Sequence, residues 1–233
     1  MVQPNNEDQK NEERVEGLLK SGLISLWKKA AAEHIRDPGT YYPSYLGSCM
    51  RKQYYIYTLG ERAIPEDLAI FMTGQGVHEI VAKAFSESTT VESIEEKITL
   101  EFTGKVKLSG RVDIIIVDID GKRYVIEVKS ASRIPDKPYE SHMLQLEIYL
   151  HALNVEDGFV LYWDKRSGSI RAFMVKKDNE WLGKIYERVA ILDYHMSIMQ
   201  PPPPEAYLEG KHWECRRCAY LPECNPGPLD VRI

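Results

Sequence analysis

The stretch from Gly110 to Ser132, GRVDIIIVDIDGKRYVIEVKSAS, reads as two apolar strands around the turn-former Asp120-Gly121. Asp113, Glu127 and Lys129 stand inside those strands. Moving an unpaired ion out of water costs several kcal/mol, so such residues must be paired or must bind a metal. The turn decides which. A two-residue turn at Asp120-Gly121 would set Asp113 opposite Val128 and send Glu127 to the other face. A three-residue loop, Ile119-Asp120-Gly121, with Gly121 left-handed and a bulge, sets Asp113 directly opposite Glu127. The second register is the one expected here. Side chains alternate with period 2, so Asp113, Glu127 and Lys129 then share a face. Val112, Ile114, Ile116, Tyr124, Ile126 and Val128 line the opposite face. Ile115, Val117 and Val125 make the first face apolar toward the turn, so helices are expected on both sides.

Opposed carboxylates on neighbouring strands repel. A divalent cation between them turns that repulsion into coordination, and hard oxygen donors suit Mg²⁺ or Mn²⁺. Lys129 would project beside the ion, placed to orient a water or to neutralise charge developing on a phosphate. The plainer alternative is a cross-strand network in which Lys129 and Arg111 only balance the acids.

The rest of the chain sets the context. Its 233 residues are 43 % apolar and 28 % charged, enough to bury a real core, and the formal charge of −5 excludes a globally basic nucleic-acid binder. A local basic cleft stays compatible with that sum. No run reaches the roughly 18 apolar residues of a membrane span. The polar, acidic start MVQPNNEDQKNEERVE lacks an apolar signal region, so a cytoplasmic protein with a mobile arm over 1–16 is expected.

Helical spacing covers Glu12 to His34, interrupted at Ser21-Gly22, and reads as one helix or two short ones. Ser44 or Ser48 is expected to cap a helix carrying Cys49, Arg51, Tyr54 and Tyr55. Another helix opens at Pro65, with continuity in doubt at Gly74 and Gly76. Strands follow at Ile98–Phe102, Val106–Val117 and Arg123–Lys129. Next come a helix over PYESHMLQLEIYLHALN, a hairpin of Gly158–Trp163 with Ile170–Val175, and a helix over Trp181–Met199. Pro201–Pro204 is a stiff spacer before WECRRCAYLPECN. The order points to an α/β protein: a flexible arm over 1–16, a helical region over 17–90, a sheet core over 91–200 and a cysteine-rich segment over 201–233.

The motifs R-V-D, E-V-K and Q-L-E-I-Y, in that order, resemble the RecB-like branch of the PD-(D/E)XK nucleases, with Val112 where the superfamily name has proline. The upstream Cys49 and the downstream C-x₂-C-x₅-C of Cys215, Cys218 and Cys224 narrow the likeness. They are similar to the CRISPR-associated RecB-like exonucleases, the Cas-four family, and G-Q-G-V-H-E matches that family's upstream histidine motif at His78. The resemblance covers about Pro43 to Asn225.

It implies a restriction-endonuclease-like mixed sheet flanked by helices. His78, Asp113, Glu127 and the Val128 carbonyl would hold the catalytic Mn²⁺ or Mg²⁺, Lys129 would assist the water, and Gln145 and Tyr149 would line the site. It also implies a 4Fe–4S cluster on the four cysteines, single-stranded DNA as substrate, 5′-to-3′ exonuclease action and spacer-precursor processing with the Cas-one/Cas-two integrase. Some family members assemble into rings, so a homo-oligomer is compatible with it.

Each motif also has a plainer reading. His78 follows Gly74 and Gly76 and precedes Ile80 and Val81, as a hydrogen-bonded core histidine would. Gln145 and Tyr149, four apart on one helix face, fit simple packing. Four cysteines also suit zinc, whereas two disulfides do not suit a reducing compartment. Arg51 and Tyr55 suit phosphate contact and base stacking, or else a solvated helix face. Two other functions stay open: a stand-alone RecB-like repair or viral nuclease, and a catalytically idle iron–sulfur DNA-binding module.

Overall fold

The computed structural model describes residues 6–32, 37–62 and 65–229. The first five residues of the expected arm, the His34 end of the first helix and residues 230–233 of the C-terminal segment lie outside these. From Asn6 onward the expected arm is helical: α1 runs unbroken over Asn6–Ala32, through Ser21-Gly22. An interior glycine costs only about 1 kcal/mol, and the Leu, Lys and Glu around Gly17 and Gly22 favour helix.

A short strand β1 (Thr40–Tyr41) and a helical turn α2 (Pro43–Leu46) replace the expected loop. Helices α3 (Met50–Leu59) and α4 (Pro65–Ser88) follow, and neither Gly74 nor Gly76 interrupts α4. Strands β2 (Thr90–Glu101), β3 (Lys107–Val117) and β4 (Arg123–Ala131) lead into α5 (Glu140–Leu153). Next come β5 (Asp157–Asp164), β6 (Ile170–Lys176) and α6 (Asn179–Ser197). Three short helices close the described chain: α7 (Glu205–Leu208), α8 (His212–Arg216) and α9 (Leu221–Cys224).

The strands form one six-stranded mixed sheet, ordered β1-β3-β4-β5-β6, with β2 paired to β3. β2 starts eight residues earlier than the expected strand at Ile98. Its added residues, TVESIEEK, carry three glutamates that mask the apolar alternation, and only the partner strand reveals the pairing. β2 runs along most of one edge of β3. The other edge is shared: β1 pairs at Lys107 and Leu108, and β4 pairs from Ile114 to Val117.

The central hairpin has the expected register. Ile114 opposes Ile126 and Val117 opposes Arg123, so the same frame carries Asp113 to Glu127. The N–H of Asp118 reaches the Lys122 carbonyl at 3.0 Å around a three-residue loop. Gly121 sits there at φ 78, a conformation that favours glycine.

Both sheet faces are covered. On one, Val77, Val81 and Ala82 of α4 meet Ile114, Ile126, Val128 and Leu161. On the other, Ile115, Val125 and Val160 pack with Leu146 and Leu150 of α5 and with Ile185, Val189 and Leu192 of α6. Val112 belongs to this second cluster, contrary to the expected alternation, because β3 leaves β4 before reaching it. Helix α5 is buried continuously from Leu144 to Leu150, as befits a helix packed between a sheet and another helix. Tyr41, Leu46, Met50 and Tyr54 join the same core, so part of the 17–90 region packs as one body with the sheet.

The start of α3 departs from expectation. Neither Ser44 nor Ser48 caps it, and Ser48 Oγ donates to the Tyr45 carbonyl at 2.8 Å. Glu214 accepts from the Cys49 N–H at 2.9 Å and Glu205 from the Met50 N–H at 2.7 Å. Carboxylates satisfy the free donors and the positive end of a helix, so the C-terminal lobe supplies the cap.

Candidate functional site

Beyond Ile114 and Ile126 the two central strands part, and the charged residues occupy the fork. Asp113 is 8 % exposed. Its Oδ2 accepts the Val128 N–H at 2.7 Å, closing the ladder with a side chain. Its Oδ1 lies 3.3 Å from His78 Nδ1, which α4 brings to the sheet. Gly110, paired with Ile98 of β2 but without a partner on the β4 side, leaves room for neighbours: a Cβ there would come within 3.0 Å of the Pro43 ring and 3.4 Å of Tyr149 Cε1.

Strand β2 adds a residue that the sequence reading leaves unassigned. The pairs Ile94 with Ile114 and Glu96 with Val112 bracket Asp113, so Glu95 stands beside it. Glu95 holds φ 55, a left-handed conformation costing a non-glycine residue roughly 1 kcal/mol or more. One ligand atom each from His78, Glu95 and Asp113 lies within 4.8 Å of the others. The glutamate-rich TVESIEEK was the available signal, readable only once β2 is extended along β3.

Glu127 is 1 % exposed. Burial first, then the charge of Asp113, pushes its carboxyl up to about 7, against the pull of Lys129. Its Oε1 lies 2.6 Å from Lys129 Nζ, while Oε2 is buried with no hydrogen-bond partner. Burial alone would lower the His78 pKa, but the hydrogen bond and charge of Asp113, with Glu127, raise it. Glu95 is raised by its own burial and then by Asp113. His78, Glu95 and Asp113 gather a ligand set suited to a hard divalent cation such as Mn²⁺ or Mg²⁺, while Glu127, one oxygen on Lys129 and the other orphaned, stands outside that 4.8 Å group.

Lys129 is held from two sides. Glu127 takes one contact, and Gln145 Oε1 accepts from Nζ at 2.9 Å. Gln145 in turn donates from Nε2 to the Tyr149 hydroxyl at 2.9 Å, one turn along α5. The structure thus joins Asp113, Glu127, Lys129, Gln145 and Tyr149 around the fork, with the Val128 backbone in direct contact with Asp113. Gln145 thus contacts the ammonium directly, and Tyr149 contacts Gln145.

A second centre lies between α3 and the C-terminal lobe. Cys49, Cys215, Cys218 and Cys224 are all free thiols and line one cavity with Lys52, Tyr55 and Tyr207. Burial pushes the Cys215, Cys218 and Cys224 thiols up, and neighbouring cysteines add to it. Four thiols that crowd one another at a lined cavity fit a metal group that takes thiolates.

Arg51 and Tyr55, expected at a DNA strand, make contacts within this lobe. Arg51 Nε donates to the Pro202 carbonyl at 2.5 Å, and its Nη1 lies 3.3 Å from the Cys224 carbonyl and 4.0 Å from Cys224 Sγ. Tyr55 donates to the Glu223 carbonyl at 3.1 Å and stacks on Tyr220. Their helix face is covered by a segment more than 140 residues downstream, which local sequence does not disclose.

Comparison with known proteins agrees with this geometry. The PD-(D/E)XK nuclease superfamily model matches residues 82–225. That span includes Asp113, Glu127, Lys129, Gln145 and Tyr149, and leaves His78 and Cys49 upstream of it. The CRISPR-associated exonuclease Cas4 of Saccharolobus solfataricus is 32 % identical over 146 residues, covering 59 % of this chain and 71 % of the relative. The crystal structure of SSO0001 superposes with a TM-score of 0.68 at 21 % identity, covering 91 % of this chain and 98 % of that one. An alkaline exonuclease from Laribacter hongkongensis shares the fold at a TM-score of 0.50 and 15 % identity, over 76 % of this chain and 95 % of its own. With the acid row, the lysine and the helix glutamine all inside the matched region, the chain belongs to the PD-(D/E)XK nuclease superfamily, in its CRISPR-associated Cas4 exonuclease family, and is a metal-dependent nuclease.

Proposed function

We propose that this nuclease degrades single-stranded DNA from the 5′ end, trims spacer precursors for the Cas-one/Cas-two integrase, and carries a 4Fe–4S cluster. The catalytic part of this reading is carried by the acid row at the β3/β4 fork. His78, Glu95 and Asp113, with Glu127 and the Val128 carbonyl beside them, would hold Mn²⁺ or Mg²⁺. When bound, the cation supplies charge stabilisation for the phosphate and a lowered pKa for the attacking water. Lys129, fixed between Glu127 and Gln145, holds that water and offsets charge on the scissile phosphate. Gln145 and Tyr149 keep the ammonium in place. An idle binding module would have no use for so costly an assembly of buried charge.

The cluster reading rests on Cys49, Cys215, Cys218 and Cys224 at one cavity. The choice of iron–sulfur over zinc follows from the resemblance to the Cas-four family. Strand choice, polarity and the integrase partnership follow from the same resemblance.

The test is cleavage of 5′- and 3′-labelled single strands and duplexes with Mn²⁺. The expected result is 5′-end release from single strands by the wild type and none by Lys129→Ala. Equal cleavage by Lys129→Ala rejects the site. Preferential release of the 3′ end, or a preference for duplex, rejects the polarity or the substrate.

A further inference from the structure

Helix α1 leaves one apolar face uncovered. Val15 is 66 % exposed, Leu18 67 %, Leu19 66 % and Leu26 51 %. At 100° per residue these four and Gly22 fall within an arc of about 100°, a continuous stripe. The half-buried Leu23, Ile24 and Trp27 lie around the helix from it, and α4 is the main element against which α1 packs. The stripe is therefore a second face. A contiguous exposed apolar face of this kind marks an interaction site.

The charges along the helix select the occupant. Residues 6–19 hold five acids against two bases, while residues 20–32 hold three lysines and no acid. A second α1 laid antiparallel sets each acidic half beside a basic half and opposes the helix dipoles. A parallel one stacks like on like. We propose that two copies of this chain associate through α1, antiparallel about a two-fold axis near residues 20 and 21, with Val15 against Leu26 and Leu19 against Gly22 of the second copy.

The middle of the helix suits such an approach. A Cβ added at Gly22 would meet nothing within 4 Å in its own chain, so the space above it is free for the opposing leucine. The pairing is isologous: each copy offers the same patch, and the contact closes at two chains. Val15 and Leu26, which this pairing sets against each other, lie toward opposite ends of the stripe and are both exposed, so complementary charges introduced at these two positions report the orientation. The family model starts at residue 82, so this face belongs to the part of the chain outside the shared nuclease core.

The test is sedimentation velocity on the full, cluster-loaded chain across about 1–100 µM, a range suited to an interface of modest size. The expected result is a monomer–dimer equilibrium that Leu19→Glu weakens at least tenfold. Val15→Glu and Leu26→Lys should each weaken it several-fold, and their equimolar mixture should restore it as a heterodimer, the new acid of one chain meeting the new base of the other. Cleavage of short strands should stay at the wild-type rate in all three variants, which shows the fold intact. A wild type that stays monomeric throughout, or a Leu19→Glu protein that dimerises like the wild type, overturns the proposal. A mixture that associates no better than its components overturns the antiparallel arrangement and with it the choice of partner.

Discussion

Asp113 Oδ2 accepts the backbone N–H of Val128 at 2.7 Å, so one carboxylate both ends the β3/β4 ladder and serves the candidate metal centre. The two duties separate by substitution. Asp113→Asn keeps an acceptor for the buried amide, whereas Asp113→Ala strands it at a cost of about 1–3 kcal/mol. Both variants should lose cleavage at least a hundredfold. Only Asp113→Ala should also lower the midpoint of chemical denaturation.

Glu95 should matter to cation affinity. Its carboxylate shares the 4.8 Å group with His78 and Asp113, so Glu95→Gln is expected to weaken Mn²⁺ binding by about 10–100-fold, the range for perturbed metal sites. Titration calorimetry reads this directly. Unchanged affinity would remove Glu95 from the ligand set.

Gln145 should act on rate and not on metal. It holds Lys129 Nζ at 2.9 Å, so Gln145→Leu leaves the ammonium held by Glu127 alone. Turnover should fall by about 10–100-fold with Mn²⁺ affinity retained, as for a residue that orients a catalytic group. Loss of Mn²⁺ binding in that variant would contradict the positioning role.

The cysteine centre should behave as a staple. Cys49 lies 166 residues before Cys215, and a shared metal group closes that long loop. Cys218→Ala is expected to lose the bound metal, the brown absorbance near about 400 nm expected of thiolate-ligated iron, and thermal stability together. A colourless wild type with stoichiometric zinc would replace iron–sulfur by zinc, and an equally stable Cys218→Ala would refute the staple.

Glu147 predicts a pH dependence away from both centres. It is fully buried, with Oε1 unpartnered and Oε2 accepting the Asp178 N–H at 3.2 Å. Burial raises its pKa from 4.5 to about 7, against the Asp178 N–H that lowers it. A folded carboxyl raised above its unfolded value binds more protons in the fold, so stability is highest below pH 4.5 and falls as pH rises toward 7. Glu147→Gln keeps the acceptor and removes the charge. It should be more stable than the wild type at pH 8, by about 1 kcal/mol or more, and close to it at pH 4. Denaturation at the two pH values measures this.

The chain's local chemistry narrowed the central hairpin to two turn registers, of which the expected one is present. Turn residues and face alternation act over a few positions, so Gly121 and the placement of Asp113 favoured the register that brings Asp113 to Glu127, and helical spacing aligned Gln145 with Tyr149. Tertiary structure alone decided what depends on distant partners. Glu95 joined the site because β2 pairs with β3 through a stretch whose glutamates hide its strand character. The N-terminus of α3 took its cap from Glu205 and Glu214, and Arg51 turned to Pro202, because the C-terminal lobe folds back across that helix. Propensity and periodicity are short-range forces, whereas pairing edge, burial and charge neighbours are set by which segments the compact chain brings together.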